Sequence, residues 1–467
     1  VTIAEPPSAL LGNYLEPGNP VAIVRWLDGV PTVREYVVSN DMVDYGGLVA
    51  SRIPAVDLAT ARGRLDSLAG VRARHSLAAF NVFGTVMRLA PTGVPAIGPA
   101  ATFPFAGAPV AQITEYAGLP VPAQTPAQAA DAERLRTALG PTLDAYLSAR
   151  ARDHAIDLAA LAKDASGAFD RVVLGQDDAG PVGLHIPELA ELRAYATRVM
   201  PYGRWSIEPG TDELGMVLVA AAVVREAGLV PRVRVVYSRA DGAGVQDPLE
   251  FAPVATTIAD VIRSCGGVPV EAGAPADFVL YVRVAGTSDA DEATFVDAIA
   301  NDPAHAAIAD LSFLGNDLAE QRRLMDELVA RNVAARVLAF ASWNTTANTV
   351  GTTVPEAFAV LAGHRMRTYS ARAHLTFTYM RYVDDVLFQK VVRPQVNDDL
   401  EKAGTTDHAY LLPPVAQQAA AENDRLLRPL AEDLLAKIAP AERIGQLTIA
   451  LPWNRTFETR LDVRLTP

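Results

Sequence analysis

Val172-Val173-Leu174-Gly175-Gln176-Asp177-Asp178-Ala179-Gly180 is the stretch on which the reading of this chain turns. A β-branched pair and a leucine between Arg171 and a glycine suit a strand covered on both faces, and two adjacent carboxylates follow it. In parallel α/β folds, ligands gather at the carboxyl ends of such strands. The same pattern recurs along the chain. Val37-Val38-Ser39-Asn40-Asp41 precedes a Gly-Gly turn, Ser206-Ile207-Glu208-Pro209-Gly210 precedes Asp212-Glu213, Ile308-Ala309-Asp310-Leu311 precedes Gly315-Asn316, and Val337-Leu338-Ala339-Phe340 precedes Trp343-Asn344. If these strands run parallel, their polar ends form one rim. Asp41, Asp177, Asp212, Asp310 and Asn344 are then expected to converge on a single concave pocket.

Outward from this stretch, strands and helices alternate. Strands are expected at 171–174, 204–207, 232–237, 277–284, 307–311 and 336–341, with helices near 187–199, 212–227, 255–265, 292–299 and 318–331. Such alternation means a mainly parallel sheet. The preferred arrangement is an α/β core resembling a TIM barrel; the alternative is two open doubly wound α/β sheets with a break near residue 230. Residues 1–351 are assigned to this core. Within it, 91–127 is rich in Pro, Ala and Gly and reads as a surface excursion, and 125–165 reads as a helical insertion. Residues 352–467 form a mostly helical C-terminal region, with long runs at 374–400 and 414–438, that closes with two short strands. Val1 to Ala4 suits a further short strand.

Composition narrows the function. Half of the 467 residues are apolar, so core material is plentiful, and the prior of roughly 150 residues per domain suggests two or three domains unless a barrel absorbs most of the chain. The net charge of −13, with a pI near 5.1, lacks the basic footprint that nucleic acid requires. No apolar run approaches the roughly 20 residues that span a bilayer, so no membrane partner is expected. A cytoplasmic location is the first reading; because the chain begins with Val, a secreted form with a removed signal peptide stays open. The single cysteine, Cys265, precedes Gly266-Gly267 and reads as a small buried hydrophobe. None of the seven histidines is paired at i, i+2 or i, i+4, which argues against a zinc-hydrolase motif. Neither a P-loop nor a Gly-x-Gly-x-x-Gly turn occurs, and no cofactor is expected.

Asp177 and Asp178 are the catalytic candidates. The pair resembles the adjacent carboxylates of retaining N-acetylhexosaminidases that work by substrate assistance. That resemblance implies that Asp177 orients the acetamido group, which acts as internal nucleophile, while Asp178 protonates the leaving oxygen. Such chemistry needs one carboxyl ionised and its neighbour protonated, and close like charges push pKa values apart. The structural alternative is that one Asp caps the next helix and the other is solvated. Asp41, Arg52, Asp212, Glu213 and Asp310 are substrate-binding candidates on the same rim, although Asp212 and Glu213 also suit a helix N-terminus. Trp343-Asn344 and Trp453-Asn454 offer an indole to stack on a pyranose and an amide to pair with hydroxyls; each also suits a structural turn.

The segments Ser39-Asn40-Asp41-Met42, Tyr45-Gly46-Gly47-Leu48-Val49-Ala50-Ser51-Arg52, Gly175-Gln176-Asp177-Asp178, Pro209-Gly210-Thr211-Asp212-Glu213, Trp343-Asn344-Thr345 with Asn348 and Gly351, Asp384-Asp385 with Gln389 and Arg393, and Leu451-Pro452-Trp453-Asn454-Arg455-Thr456-Phe457-Glu458 are distributed from end to end. Together they resemble a bacterial family catalogued as domain of unknown function 4127. The resemblance implies a further strand ahead of Val1 and carries no activity. From the residues themselves, the expected function is hydrolysis of a glycosidic bond in an amino-sugar-containing glycan, with an oligosaccharide or small molecule as substrate. A non-catalytic carbohydrate-binding protein and a metal-dependent amide or ester hydrolase are the alternatives, the latter through carboxylates such as Asp41, Asp177 or Asp310.

Overall fold

A computed structural model describes residues 2–30, 33–201 and 203–467. The chain forms two compact units: residues 1–218 with 247–252, and residues 219–246 with 253–467. The division falls inside the helix Leu214–Glu226, near the break of the two-sheet arrangement. Each unit is built on its own open parallel sheet, so the two-sheet alternative describes the fold and the described strands close no barrel.

In the first unit the strands Glu35–Ser39, Ala79–Val86, Arg171–Gln176 and Trp205–Pro209 lie side by side in chain order, all parallel. Sequential order is also what a barrel would require. Closure fails because there are four strands, half the number of a small barrel, and the outer two stay edges. Alternation gives each strand two different faces. Tyr36, Val38, Phe80, Val82, Val172, Leu174 and Ile207 join one core with Leu65, Leu68 and Val71 of the helix Leu58–Arg74. Val173 faces the other way, onto Leu214 and Leu218, with Val37 and Phe83 alongside.

The helical insertion is two helices, Pro126–Leu139 and Pro141–Ala165, parted at Gly140, whose φ of 48° a side chain would resist. A capping box between Thr125 and Gln128 starts the first. The 91–127 stretch is less irregular than its composition suggests, since Val110–Ala117 is a helix that buries Ile113 and Ala117. Residues 2–4 are not a strand, and Val1 lies outside the described residues.

The second unit has the spatial order Ala339–Ala341, Ala306–Leu311, Phe278–Val284, Arg232–Tyr237, Val268–Val270, again all parallel. Numbered by chain and read from the Val268–Val270 edge, that order is 2-1-3-4-5, a doubly wound sheet whose direction of growth reverses between Arg232–Tyr237 and Phe278–Val284. The C-terminal helices belong to this unit, so the chain does not divide at 351. The helix Thr346–Met366 runs through that position and buries Val350, Val354 and Phe358, the last edge-on to Phe278 with ring centroids 6.0 Å apart. Residues 371–402 form one helical rod in which Tyr382–Val392 is wound as π-helix, and Pro413–Ile438 packs beside it. The strands Arg443–Ala450 and Arg460–Thr466 close the chain as an antiparallel hairpin. No helix among the described residues is long and apolar enough to cross a membrane.

Candidate functional site

The carboxyl ends of the first sheet carry a cluster of charged side chains whose placement follows from small residues around them. Ser39 ends its strand and caps the short helix Asn40–Asp44, its Oγ accepting the Met42 N–H at 3.2 Å, which puts Asp41 in the first turn. Gly84 leaves room for Asn40: a Cβ there would meet Asn40 Oδ1 at 2.3 Å. Gly175 does the same for the turn after the fourth strand, since its Cβ would lie 2.0 Å from the Gly210 carbonyl oxygen. With that turn seated, the Thr211 hydroxyl pairs with Thr85 at 2.7 Å, and Asp212 follows at the mouth of the cluster.

Asp177 and Asp178 follow the third strand, the Asp177 N–H reaching the Val86 carbonyl at 3.1 Å. The strand stops at Gln176 and Asp178 lies in a bend, and the two carboxylates find different partners. Asp177 is buried in an ion pair with Arg52, whose other amino group donates to Thr92 at 3.3 Å. The Arg52 Nε is buried without a hydrogen-bond partner among the described residues. Asp178 is half-buried and pairs with Arg88 at 3.1 Å, while the Arg88 Nε holds the Ala90 carbonyl at 2.9 Å.

Burial drives the electrostatics. It pushes Asp41 up to about 7, with Asp177 adding to the shift and the Thr85 hydroxyl and Arg52 opposing it. Asp178 is raised by burial and by Asp177, against Arg88. Asp212 keeps an exposed side chain, yet enclosure by the surrounding protein and the charge of Asp177 bring it to about 6. Arg88 is lowered by burial and by Arg52. Behind the cluster, burial lifts Asp44, Asp153 and Asp157 well above the usual carboxylate range. Arg152 lies beside them, 4.4 Å from the Tyr45 ring centroid, and donates to the carbonyls of Ser51, Ile53 and Val56. Glu213 is wholly buried and raised by burial, so it sits beneath the rim and not on it.

Thr85, Thr92, Thr211 and the acids of the 141–165 helix escaped the sequence reading. A signal existed for the last: Asp153 and Asp157 share a helix face with the apolar Ala149, Ile156 and Ala160, where a solvated acid does not belong.

Asp310, Trp343, Asn344, Trp453 and Asn454 belong to the second unit, whereas Asp41, Arg52, Asp177 and Asp212 belong to the first. Asp310, next to last in its strand, lies opposite Arg283 and is bridged by it at 3.4 Å; Arg283, wholly buried, also grips Glu292 at 2.8 and 2.9 Å. Trp343 directs its indole N–H to Thr352 at 3.0 Å, and the Asn344 amide donates to Asn348 at 2.6 Å, while Thr345 caps the helix Thr346–Met366. Trp453 and Asn454 lie in the turn of the C-terminal hairpin, where Arg455 stands 5.2 Å from the Trp453 ring centroid and Leu411 N–H bonds the Asn454 carbonyl at 2.6 Å. That turn is braced on the π-helical rod by Gln389 to Phe457 O at 3.0 Å and by Arg393 over the Phe457 ring at 4.4 Å.

Among the described residues, no group of three or more His, Cys, Asp or Glu side chains is arranged to hold a metal ion. A surface groove of about 490 Å³ lies on the first unit between Arg62, Tyr195 and Arg198, and none of the cluster lines it. The chemistry available at the cluster is proton transfer near neutral pH, from carboxyls raised by burial and oriented by two arginines. The sequence matches the family described as "Protein of unknown function (DUF4127)" over residues 1–462. No curated protein and no solved structure matches it.

Proposed function

Because the chain belongs to the DUF4127 family, whose description carries no chemistry, we propose its function from the site alone: hydrolysis of a glycosidic bond in an amino-sugar-containing glycan. The observation that carries this reading is the unequal setting of two neighbouring acids. Asp177 is buried against Arg52, and Asp178, half-exposed beside Arg88, is raised by burial and by its neighbour. A raised, accessible carboxyl is suited to protonate a leaving oxygen, and an ion-paired carboxylate is suited to hold and orient an acetamido N–H. Substrate assistance then lets the acetamido oxygen attack the anomeric carbon as the glycosidic bond breaks. Asp212, exposed and near 6, and Asp41, near 7, both feel the charge of Asp177, which supports a site where protons move near neutral pH.

A panel of chromogenic glycosides, run with and without chelator, tests the proposal. Release of chromophore from N-acetylhexosaminides that chelator leaves unchanged is the expected result. Binding of the sugars without turnover would replace hydrolysis by recognition, and loss of activity with chelator would replace it by metal-dependent chemistry.

A further inference from the structure

Three helices of the first unit border the open groove of about 490 Å³. The helix Pro141–Ala165 presents Ala155, Leu158 and Ala159 to it, at the i, i+3, i+4 spacing of one face. The helix His185–Val199 adds Ala194 and Tyr195, with Glu191 and Arg198 three or four residues to either side, and Arg62 comes from the helix Leu58–Arg74. Leu158, Ala159 and Tyr195 also pack inward on the core of the unit, so the apolar lining is held from beneath. Alanines at 155, 159 and 194 keep the groove open where longer side chains would fill it. Its rim faces solvent, for Arg62, Ala194 and Arg198 are all exposed.

The charges around this lining are not balanced within the unit. Glu191 is engaged by His154, whose Nε2 lies 3.0 Å from its carboxylate, and Asp66, one turn on from Arg62, is paired with Lys163 at 2.5 Å. Arg198 lies over the Tyr195 ring, 5.5 Å from its centroid, and neither it nor Arg62 makes a hydrogen bond or ion pair among the described residues. Two guanidiniums therefore border one apolar groove, in a chain of net charge −13, without a carboxylate to meet them. A guanidinium matches the planar fork of a carboxylate or the oxygens of a phosphate, and alanine and leucine side chains accept only hydrocarbon. The volume falls among the roughly 300–1,000 Å³ pockets that take small molecules.

We propose that this groove binds an amphiphilic anion, with an aliphatic chain against Ala155, Leu158, Ala159 and Ala194 and a carboxylate or phosphate head held by Arg62 and Arg198. Glycoside hydrolysis is no premise of this site, because none of the acids at the carboxyl end of the first sheet lines it.

The test uses the full chain, with octanoate and octyl phosphate as calorimetric probes and 1-octanol as the neutral probe of the same chain length. At least one anion is expected to bind, about tenfold or more tighter than octanol, and the tighter anion identifies the head group. Arg62→Gln and Arg198→Gln should each weaken that anion about tenfold, the loss of one charge-assisted contact. Both arginines are exposed and unbonded, so the thermal transition of each variant should match the parent's. Ala194→Leu, which fills the groove from an exposed position, should weaken the anion as well. Binding of neither anion, binding no tighter than that of octanol, or binding that both arginine variants leave unchanged would overturn the proposal. Self-association of the parent chain that the arginine variants abolish, with no probe bound, would give this face to a second copy and overturn it too.

Discussion

Gly175→Ala tests how the first sheet builds its site. The added Cβ would stand 2.0 Å from the Gly210 carbonyl oxygen, 2.8 Å from Leu214 Cδ1 and 3.1 Å from the Gly210 carbonyl carbon. Real Cβ contacts essentially never fall below 3.0 Å, so the turn must retreat by about 1 Å, the difference between 3.0 and 2.0 Å. Gly210 has little freedom to absorb this, for it already holds φ at 86° and its N–H is bonded to the Gln176 carbonyl at 2.9 Å. Overpacking of this kind costs about 1–3 kcal/mol, which lowers the transition of a unit this size by roughly 2–4 °C per kcal/mol. The same retreat carries Thr211 away from Thr85 and shifts Asp212. A misplacement of ~1 Å in a catalytic constellation can cost about 100-fold in rate. Calorimetry and kcat/KM on whichever chromogenic glycoside the parent cleaves would both report the change. A variant with the parent's transition temperature and the parent's kcat/KM would refute the claim that Gly175 seats this turn.

Three further outcomes follow from the same geometry. Asp178→Ala should retain more activity on activated aryl glycosides than on natural glycans, whereas Asp177→Ala should depress both classes together; equal losses on both substrates from Asp178→Ala would deny it the acid role. Arg52→Met leaves Asp177 buried without its partner and should cost about 3–5 kcal/mol in chemical denaturation; an unchanged midpoint would show that the pair contributes nothing. Glu356, buried beneath the second sheet, accepts from the Phe340 N–H and the Thr378 hydroxyl, lies 3.8 Å from His374 Nε2, and is pushed by burial from an ordinary 4.5 up to about 8. Its proton is therefore bound more tightly in the folded chain. The associated stability is complete below pH 4.5 and is lost as pH rises through about 8, at most about 5 kcal/mol at ~1.4 kcal/mol per pH unit. Glu356→Gln should flatten that part of the profile, and an undiminished slope between pH 5 and about 8 would assign it to other groups.

What the sequence made legible was local. Val172-Val173-Leu174 announced a strand covered on both faces, and Val172 and Leu174 do pack on the opposite side from Val173. Barrel and open sheet could not be separated in this way, because both need parallel strands joined by helices and differ only in whether the edge strands meet. Val268–Val270 went unseen for a different reason: it is three residues long and contains Pro269, which an edge strand tolerates because its outer side donates to no neighbour. The 110–117 helix was hidden by a Pro- and Gly-rich setting, and its burial of Ile113 and Ala117 depends on tertiary partners that no local window contains.

The candidate site divides along the same line. That two acids follow the end of a parallel strand is legible from the sequence alone. Which arginine each meets is not, since Arg52 and Arg88 arrive from a short helix end and from the far end of a neighbouring strand. Trp343 shows the converse. Its residue type announces sugar stacking, but the ring is aimed by an N–H bond to Thr352 one helical stretch later, a contact whose existence depends on how the 346–366 helix leaves the sheet. Residue type thus sets what a side chain can do, and the elements that carry it set which of those things are still open to it. At Trp343 both N–H groups are committed, the backbone one to Thr349 and the indole one to Thr352, and the half-buried ring face is the part of the side chain that makes no hydrogen bond.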